Sequence, residues 1–298
     1  MVVSADADLH QLPFEVLVTE SGKPLLDSHV VSYVPSASVL VFLRNRQTQN
    51  APLRAALAVS ASQTTSIASP SSTGAPSPFG AISRGVYDLE ATQLPALPSA
   101  NDEARSVSAA LGTTSTVLLG DSATELELKR QPLHDYRVLH FALHGIVSTK
   151  FPSRSALVLR PGGAEDGLFQ AREILSLRLA ADLVTLSACD TGSGTVHGQE
   201  GVASLVRPFL AAGASAVVAN LWTADDRFSL ALMREFYSQL AAGADIGEAL
   251  RRAKLRMLKQ FGPEAVPKLW SGVLVNGDAS TVLKRPSTRA ETGGANAR

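Results

Sequence analysis

The feature that most constrains this chain is a series of short, almost uninterrupted apolar runs separated by amphipathic stretches. RVLHFALHG begins at Arg137, DLVTLSAC at Asp182, SAVVANLW at Ser215 and SGVLVNGD at Ser271. A run that is apolar at successive positions, rather than at every second one, suits a strand buried on both of its faces. The stretches between them repeat their apolar residues at helical spacing, as Phe228, Leu232, Phe236 and Leu240 do between Asp226 and Gly243. Strands alternating with helices predict an α/β fold in which a mostly parallel sheet is covered by helices on both faces.

Other segments extend this pattern. NDEARSVSAALG offers an Asn cap, early acids and a terminal Gly, and reads as a helix. STVLLG and SALVLR read as strands, and LFQAREILSLRL and GVASLVRPFLAAG as helices, the latter with Pro208 inside it, where a backbone donor is lost. Asp245 and Glu248 make a capping-box-like start for a helix running to Phe261. YVPSASVLVFLR is apolar and β-branched enough for a strand, and PLRAALAVS suits a strand or a short helix. Residues 1–23 are expected to be a flexible segment, 24–280 the folded domain with a Ser/Thr/Pro-rich insertion at about 60–83, and 281–298 a disordered tail.

Composition narrows the class of partner. The 298 residues carry 27 Lys plus Arg against 27 Asp plus Glu, so there is no concentrated positive charge of the kind that holds nucleic acid or anionic lipid. The acidic N-terminus MVVSADAD lacks the basic start of a signal peptide, and no apolar stretch reaches the length of a membrane span. One cysteine cannot form an internal disulfide, which fits a reducing cytoplasm. No P-loop or dinucleotide fingerprint is present, and no cofactor or metal is expected.

In open α/β sheets the chemistry gathers at the carboxyl ends of strands. Here those ends read His144-Gly145, Ala188-Cys189-Asp190-Thr191-Gly192 and Trp222-Thr223-Ala224-Asp225-Asp226. If the first two strands are neighbours, about 5 Å apart, His144 and Cys189 can face each other. A free thiol has a pKa of about 8.5 and is a weak nucleophile at neutral pH until an imidazole takes its proton. The backbone amides of Gly145 and Cys189 are candidate donors to a developing oxyanion, each worth roughly 3 to 4 kcal/mol in a transition state.

The blocks VLHFALHG, SALVL, LVTLSACDTGSG, GQEGVASLVRPFLAAGASAVVANLWTADD, EALRRAK and WSGVLVNGD occur in order. With them the chain resembles the CHAT family of caspase-like peptidases, relatives of separase, gingipains and caspases, from about Pro24 to Asp278. The resemblance implies a caspase-like α/β/α sandwich, peptide-bond hydrolysis of a protein or peptide substrate, and a Cys-His dyad carried onto Cys189 and His144. By analogy with separase-like relatives, it also implies that an acid in the tryptophan block, Asp225 or Asp226, receives a basic side chain before the scissile bond. Asp190, beside the nucleophile, is the other pocket candidate. Leu143, Asp190 and the AVSAS segment depart from the usual family residues at those places. The chain shows no helical repeat array, so a regulatory sensor would sit on another polypeptide.

Each candidate has a plainer reading. A lone cysteine closing an apolar strand is often core filler. Acids that begin a helix cap it. His140 and His144 lie four apart, but in a strand and without the Glu of a metalloprotease helix, so His140 reads as a core histidine bonded to a neighbour. Trp222 and Trp270 read as packing, and His197 as a loop residue. A catalytically silent interaction or scaffold module is the alternative to a peptidase, and a non-proteolytic hydrolase or acyltransferase the third.

Overall fold

The computed structural model describes residues 1–6, 9, 12–46, 52–61, 65–66, 93–94, 96–148, 150–187, 198–222 and 225–283. The strands are β1 (Val2–Val3), β2 (Ser32–Tyr33), β3 (Arg54–Ser60), β4 (Thr65–Ser66), β5 (Gln93–Leu94), β6 (Thr116–Leu119), β7 (Tyr136–Ala142), β8 (His144–Ile146), β9 (Ala156–Val158), β10 (Leu168–Gln170), β11 (Leu183–Leu186), β12 (Ala216–Asn220) and β13 (Val273–Gly277). The α-helices are α1 (Ala37–Asn45), α2 (Ala100–Leu111), α3 (Glu125–Arg130), α4 (Ala171–Ile174), α5 (Gly198–Ala212), α6 (Asp226–Ala241), α7 (Ile246–Phe261) and α8 (Pro267–Trp270).

Among the described residues, eight strands form one sheet in the order β1-β2-β13-β12-β11-β7-β3-β6. All neighbours are parallel except β12 and β13, which run antiparallel. This is the mostly parallel sheet expected from the unbroken apolar runs. A smaller antiparallel sheet, β10-β9-β8, branches off where β7 ends, and β4 pairs with β5.

The strands of the large sheet send alternate residues to opposite layers, because successive side chains of a strand point to opposite faces. Leu57, Val59, Leu139, Phe141, Val184, Leu186, Val217 and Ala219 pack with α5 and with Leu43 of α1, Leu128 of α3 and Ile174 of α4. Ala56, Ala58, Val138, Leu183, Ala216 and Val218 pack with α2, α6, α7 and Trp270. The apolar repeat of α6 works as its spacing predicts: Phe228, Leu232, Phe236 and Leu240 are all buried.

Several expectations are corrected. The segment VLVFLR is helical, not a strand: Ser36 caps α1 by accepting from the Val39 amide, and Val41 and Phe42 are exposed on the helix surface. The helical reading of LFQAREILSLRL splits into β10 and the one-turn α4. Ser99, not Asn101, is the N-cap residue of α2. Asp245 caps α7 through the Glu248 amide, but Glu248 turns to Arg251 and Arg252 rather than back to the cap.

Within residues 1–23, expected to be a flexible segment, two described parts are anchored. Val2–Val3 adds an edge strand, and Glu15 is buried against Lys254 of α7 with 2.8 Å between carboxylate and ammonium. Of the Ser/Thr/Pro-rich stretch, Ser60 ends β3 and Thr65–Ser66 forms β4, while 62–64 and 67–92 lie outside the described residues, as do 284–298. None of the described helices is long and apolar enough to cross a membrane.

Candidate active site

Three adjacent strands, β7, β11 and β12, carry the candidate residues at their carboxyl ends. Their registers align Phe141, Leu186 and Ala219 in one row, so Ala142, Ser187 and Asn220 form the next. The Ser187 amide donates to the Phe141 carbonyl at 3.0 Å, continuing the ladder one residue past β11. Thus the strand that leads to His144 and the strand that leads to Cys189 are direct neighbours, as the sequence reading required. Cys189 itself lies outside the described residues, and so do Asp190, Gly192 and His197.

His144 is the first residue of β8 and is 2 % exposed. The chain leaves the large sheet after Ala142, and His144 and Gly145 pair with Val158 and Leu157 of β9. Backbone pairing on the small sheet therefore fixes the position of the His-Gly pair, rather than a free loop. Ile146, Ala156, Val158 and Leu168 form the apolar underside of that sheet, together with Leu94.

The acids of the third strand end are engaged at helix starts. Asp225 is exposed and caps α6, accepting from the Phe228 amide at 2.8 Å. Asp226 is half-buried, and its Oδ2 accepts from the Ser99 amide at 2.9 Å, joining the start of α6 to the start of α2. Trp222 is a packing residue: its indole nitrogen donates to the Lys268 carbonyl at 2.7 Å, and Gly272 lies so close that a Cβ there would come within 2.6 Å of the ring.

Beneath the strand ends lies a buried polar group that sequence reasoning reached only in part. His140 is 0 % exposed, and its Nδ1 is 3.0 Å from the hydroxyl of Tyr237, which is also 2.8 Å from Thr185 Oγ1. This is the neighbour-bonded core histidine expected from the strand. Its Nε2 is 3.0 Å from Glu103 Oε1, but the two atoms do not meet hydrogen-bond geometry. Burial, with the Glu103 charge adding to it, holds the Tyr237 phenol protonated far above the usual tyrosine range.

Asn220 was not anticipated. It ends β12, is 1 % exposed, and donates from Nδ2 to the Ser187 carbonyl at 2.6 Å. Its Oδ1 has no hydrogen-bond partner among the described residues. The sequence signal was a lone amide in the apolar run SAVVANLW at the carboxyl end of a strand.

Among the described residues, one group of carboxylates has ligand-like spacing. Glu125, Glu165 and Glu173 offer oxygens within 4.8 Å of one another. Lys129 Nζ stands among them at 2.7, 2.6 and 2.7 Å, so an ammonium already fills the place of a cation. Burial alone would lower the Lys129 pKa, but the three carboxylates outweigh it and raise the value above the ordinary lysine range. Burial pushes the Glu125 carboxyl up.

The family model of the CHAT domain matches residues 1–278, which includes the N-terminal segment. Tetratricopeptide repeat protein 28 of Homo sapiens is 30% identical over 230 residues, covering 64% of this chain and 9% of the human protein. The Mus musculus protein is 31% identical over 234 residues with the same coverages. The chain spans less than a tenth of the length of these curated relatives. Among solved structures, the Arg-specific cysteine proteinase gingipain R aligns with a TM-score of 0.54 at 11% identity over 86% of this chain and 56% of its own. The Saccharomyces cerevisiae separase–securin complex aligns with a TM-score of 0.51 at 13% identity, over 90% of this chain and 14% of that one. At these identities the likeness is one of fold: the caspase-like α/β arrangement.

Proposed function

From the premise that the chain belongs to the CHAT family, we propose that it is a cysteine endopeptidase that hydrolyses a protein or peptide substrate through Cys189 and His144. The observation that carries this reading is the parallel pairing of β7 with β11. It sets side by side the two strand ends from which His144 and Cys189 follow, with His144 held on a paired strand.

In this reading His144 accepts the thiol proton, and the thiolate attacks the carbonyl carbon of the scissile peptide bond. The backbone amides of Gly145 and Cys189 stabilise the resulting oxyanion, and the imidazolium returns its proton to the leaving amine. Water then attacks the thioester, with His144 again as base, and frees the enzyme. Asp190 and Asp225 are the acids proposed to favour a basic residue before the scissile bond. Each of Asp225 and Asp226 already accepts one backbone amide, from Phe228 and Ser99, but Asp225 is exposed whereas Asp226 is half-buried, so Asp225 is the better placed of the two. The Arg-specific cysteine proteinase gingipain R, similar in fold, supports a basic preference by analogy.

The test is covalent trapping. A peptidyl acyloxymethyl ketone ending in arginine is expected to label Cys189 of the wild type, detected by mass spectrometry of the labelled peptide. His144→Ala and Cys189→Ala should abolish labelling without loss of fold. Failure of the folded wild type to label with arginyl, lysyl, leucyl or aspartyl reagents would overturn the peptidase reading and leave the scaffold alternative.

A further inference from the structure

We propose that Asn220 is a positioning residue for the nucleophile, an inference that rests on the peptidase reading. The argument starts from donor and acceptor arithmetic. A carboxamide presents two N–H donors and a carbonyl acceptor. The Ser187 carbonyl can only accept, so the atom 2.6 Å from it is the amide nitrogen of Asn220, and the orientation of the carboxamide follows from chemistry. The oxygen is then left at a fully buried position without a donor among the described residues. A buried acceptor without a partner is destabilising, and such groups in native proteins are few and call for an explanation.

The place of the residue supplies one. Asn220 ends β12, in the row that also holds Ser187 and Ala142, one row beyond the last residues that β11 pairs with β7 and β12. Ser187 stands two residues before Cys189, and Ala142 two residues before His144. At this row the ladder from β7 still holds the amide of Ser187, through the Phe141 carbonyl, while its own carbonyl is held by a side chain from the opposite neighbour, β12. Both backbone polar groups of Ser187 are thus fixed from two different strands, and the peptide that leads on to Cys189 departs from a clamped residue. The Oδ1, without a donor among the described residues, points to a group shaped for an arrangement in which a further N–H completes it. A purely structural role would show itself as lost stability with the reactivity of the thiol unmoved, because an apolar side chain here leaves the buried Ser187 carbonyl without its donor; a positioning role would move the reactivity itself.

That contrast yields the experiment. The chain has a single cysteine, so alkylation by iodoacetamide reports on Cys189 alone. Wild-type Cys189 is expected to react at pH 6 to 7 much faster than an ordinary thiol of pKa about 8.5 would, and His144→Ala should remove that low-pH reactivity. Asn220→Leu, close in shape, removes the clamp and the orphan acceptor together. It is expected to melt within a few degrees of the wild type, to lose at least tenfold in alkylation rate at pH 6.5, and to match the wild type at pH 10, where any thiol is ionised. Asn220→Ala serves as the second variant.

The outcomes separate the two claims. An ordinary thiol profile in the wild type, unmoved by His144→Ala, sinks the dyad and with it this inference. A His144-dependent profile that survives in folded Asn220→Leu or Asn220→Ala overturns the positioning role alone. If neither variant folds, Asn220 is a stability residue and the proposal fails.

Discussion

The two faces of the central sheet are built from the same strands, yet they are made of different material. On the face covered by α5, the residues of β3, β7, β11 and β12 are apolar from Leu57 and Val59 to Val217 and Ala219, with the buried Arg137 at the start of β7, beside Asp182, as the charged exception. On the opposite face the rows begin with Ala56, Val138, Leu183 and Ala216 but end toward the carboxyl edge with Ser60, His140, Thr185 and Asn220, all buried. The helices on that side answer with polar groups of their own: Asn101 accepts from Ser60 at 3.0 Å, and Glu103 and Tyr237 face His140. One face supplies non-directional apolar stabilisation. The other spends buried polar groups, which are stabilising only where partnered and which fix relative positions, next to the strand ends where His144 and Cys189 follow.

The sharpest way to break this contrast is at the most deeply buried charge on the polar side. Lys254 is 0 % exposed, and Glu15 is its partner. Burial lowers the Lys254 pKa and raises that of Glu15, each opposed by the attraction between them. Lys254→Met leaves Glu15 buried without its counter-charge and is expected to destabilise the fold by about 3 to 5 kcal/mol at pH 7. Glu15 has a folded pKa above its unfolded value, so its contribution is fully present below the unfolded value and fades as pH rises through the folded one. The deficit of Lys254→Met should therefore shrink as pH falls from 7 toward 5, read from denaturant midpoints. The double variant Glu15→Gln with Lys254→Met should recover most of the loss. A deficit that does not change with pH would show that Glu15 is not the group responsible.

A smaller effect is expected within the polar belt itself. Tyr237→Phe removes one hydroxyl that serves both His140 and Thr185. Two buried groups lose their partner, at about 1 to 3 kcal/mol. Adding Thr185→Val should cost less than its own single effect, because the two side chains share one network. Strict additivity by thermal or chemical unfolding would mean that the belt is a set of independent contacts.

The same contrast explains what could be read from the sequence. Apolar runs report their own burial, so β7, β11, β12, β13 and the helices α5, α6 and α7 were legible, whereas the adjacency of the strands leading to His144 and Cys189 was a condition that only the sheet pairing supplies. Partnerships between distant residues were not. Glu15 is anchored by Lys254, and Ser99 by Asp226, and nothing local in either segment announces the other. The α1 helix was misread because Val39, Val41 and Phe42 carry strand propensity, while its Ser36 cap is a single residue whose meaning depends on the backbone around it. Asn220 was passed over because an amide in an apolar run becomes informative only once Ser187 is seen across the strand.

The least destabilising test bears on the pocket acids. Asp225 caps α6 with one oxygen while exposed to solvent, so a single residue stands for both the capping reading and the pocket reading. Serine separates them, because its hydroxyl caps a helix about as well as a carboxylate but carries no charge. Asp225→Ala should lose about 1 kcal/mol of stability with the cap, and Asp225→Ser should stay within about 0.5 kcal/mol of the wild type. If the carboxylate also receives a basic side chain, both variants should lose roughly tenfold in preference for an arginyl over a leucyl reagent, a change of about 1.4 kcal/mol in a charge-assisted contact. The measurement is the rate of Cys189 labelling by the paired reagents. Preference unchanged in Asp225→Ser, with stability lost only in Asp225→Ala, would assign Asp225 to the helix alone and move the search for the basic-side-chain partner to Asp190.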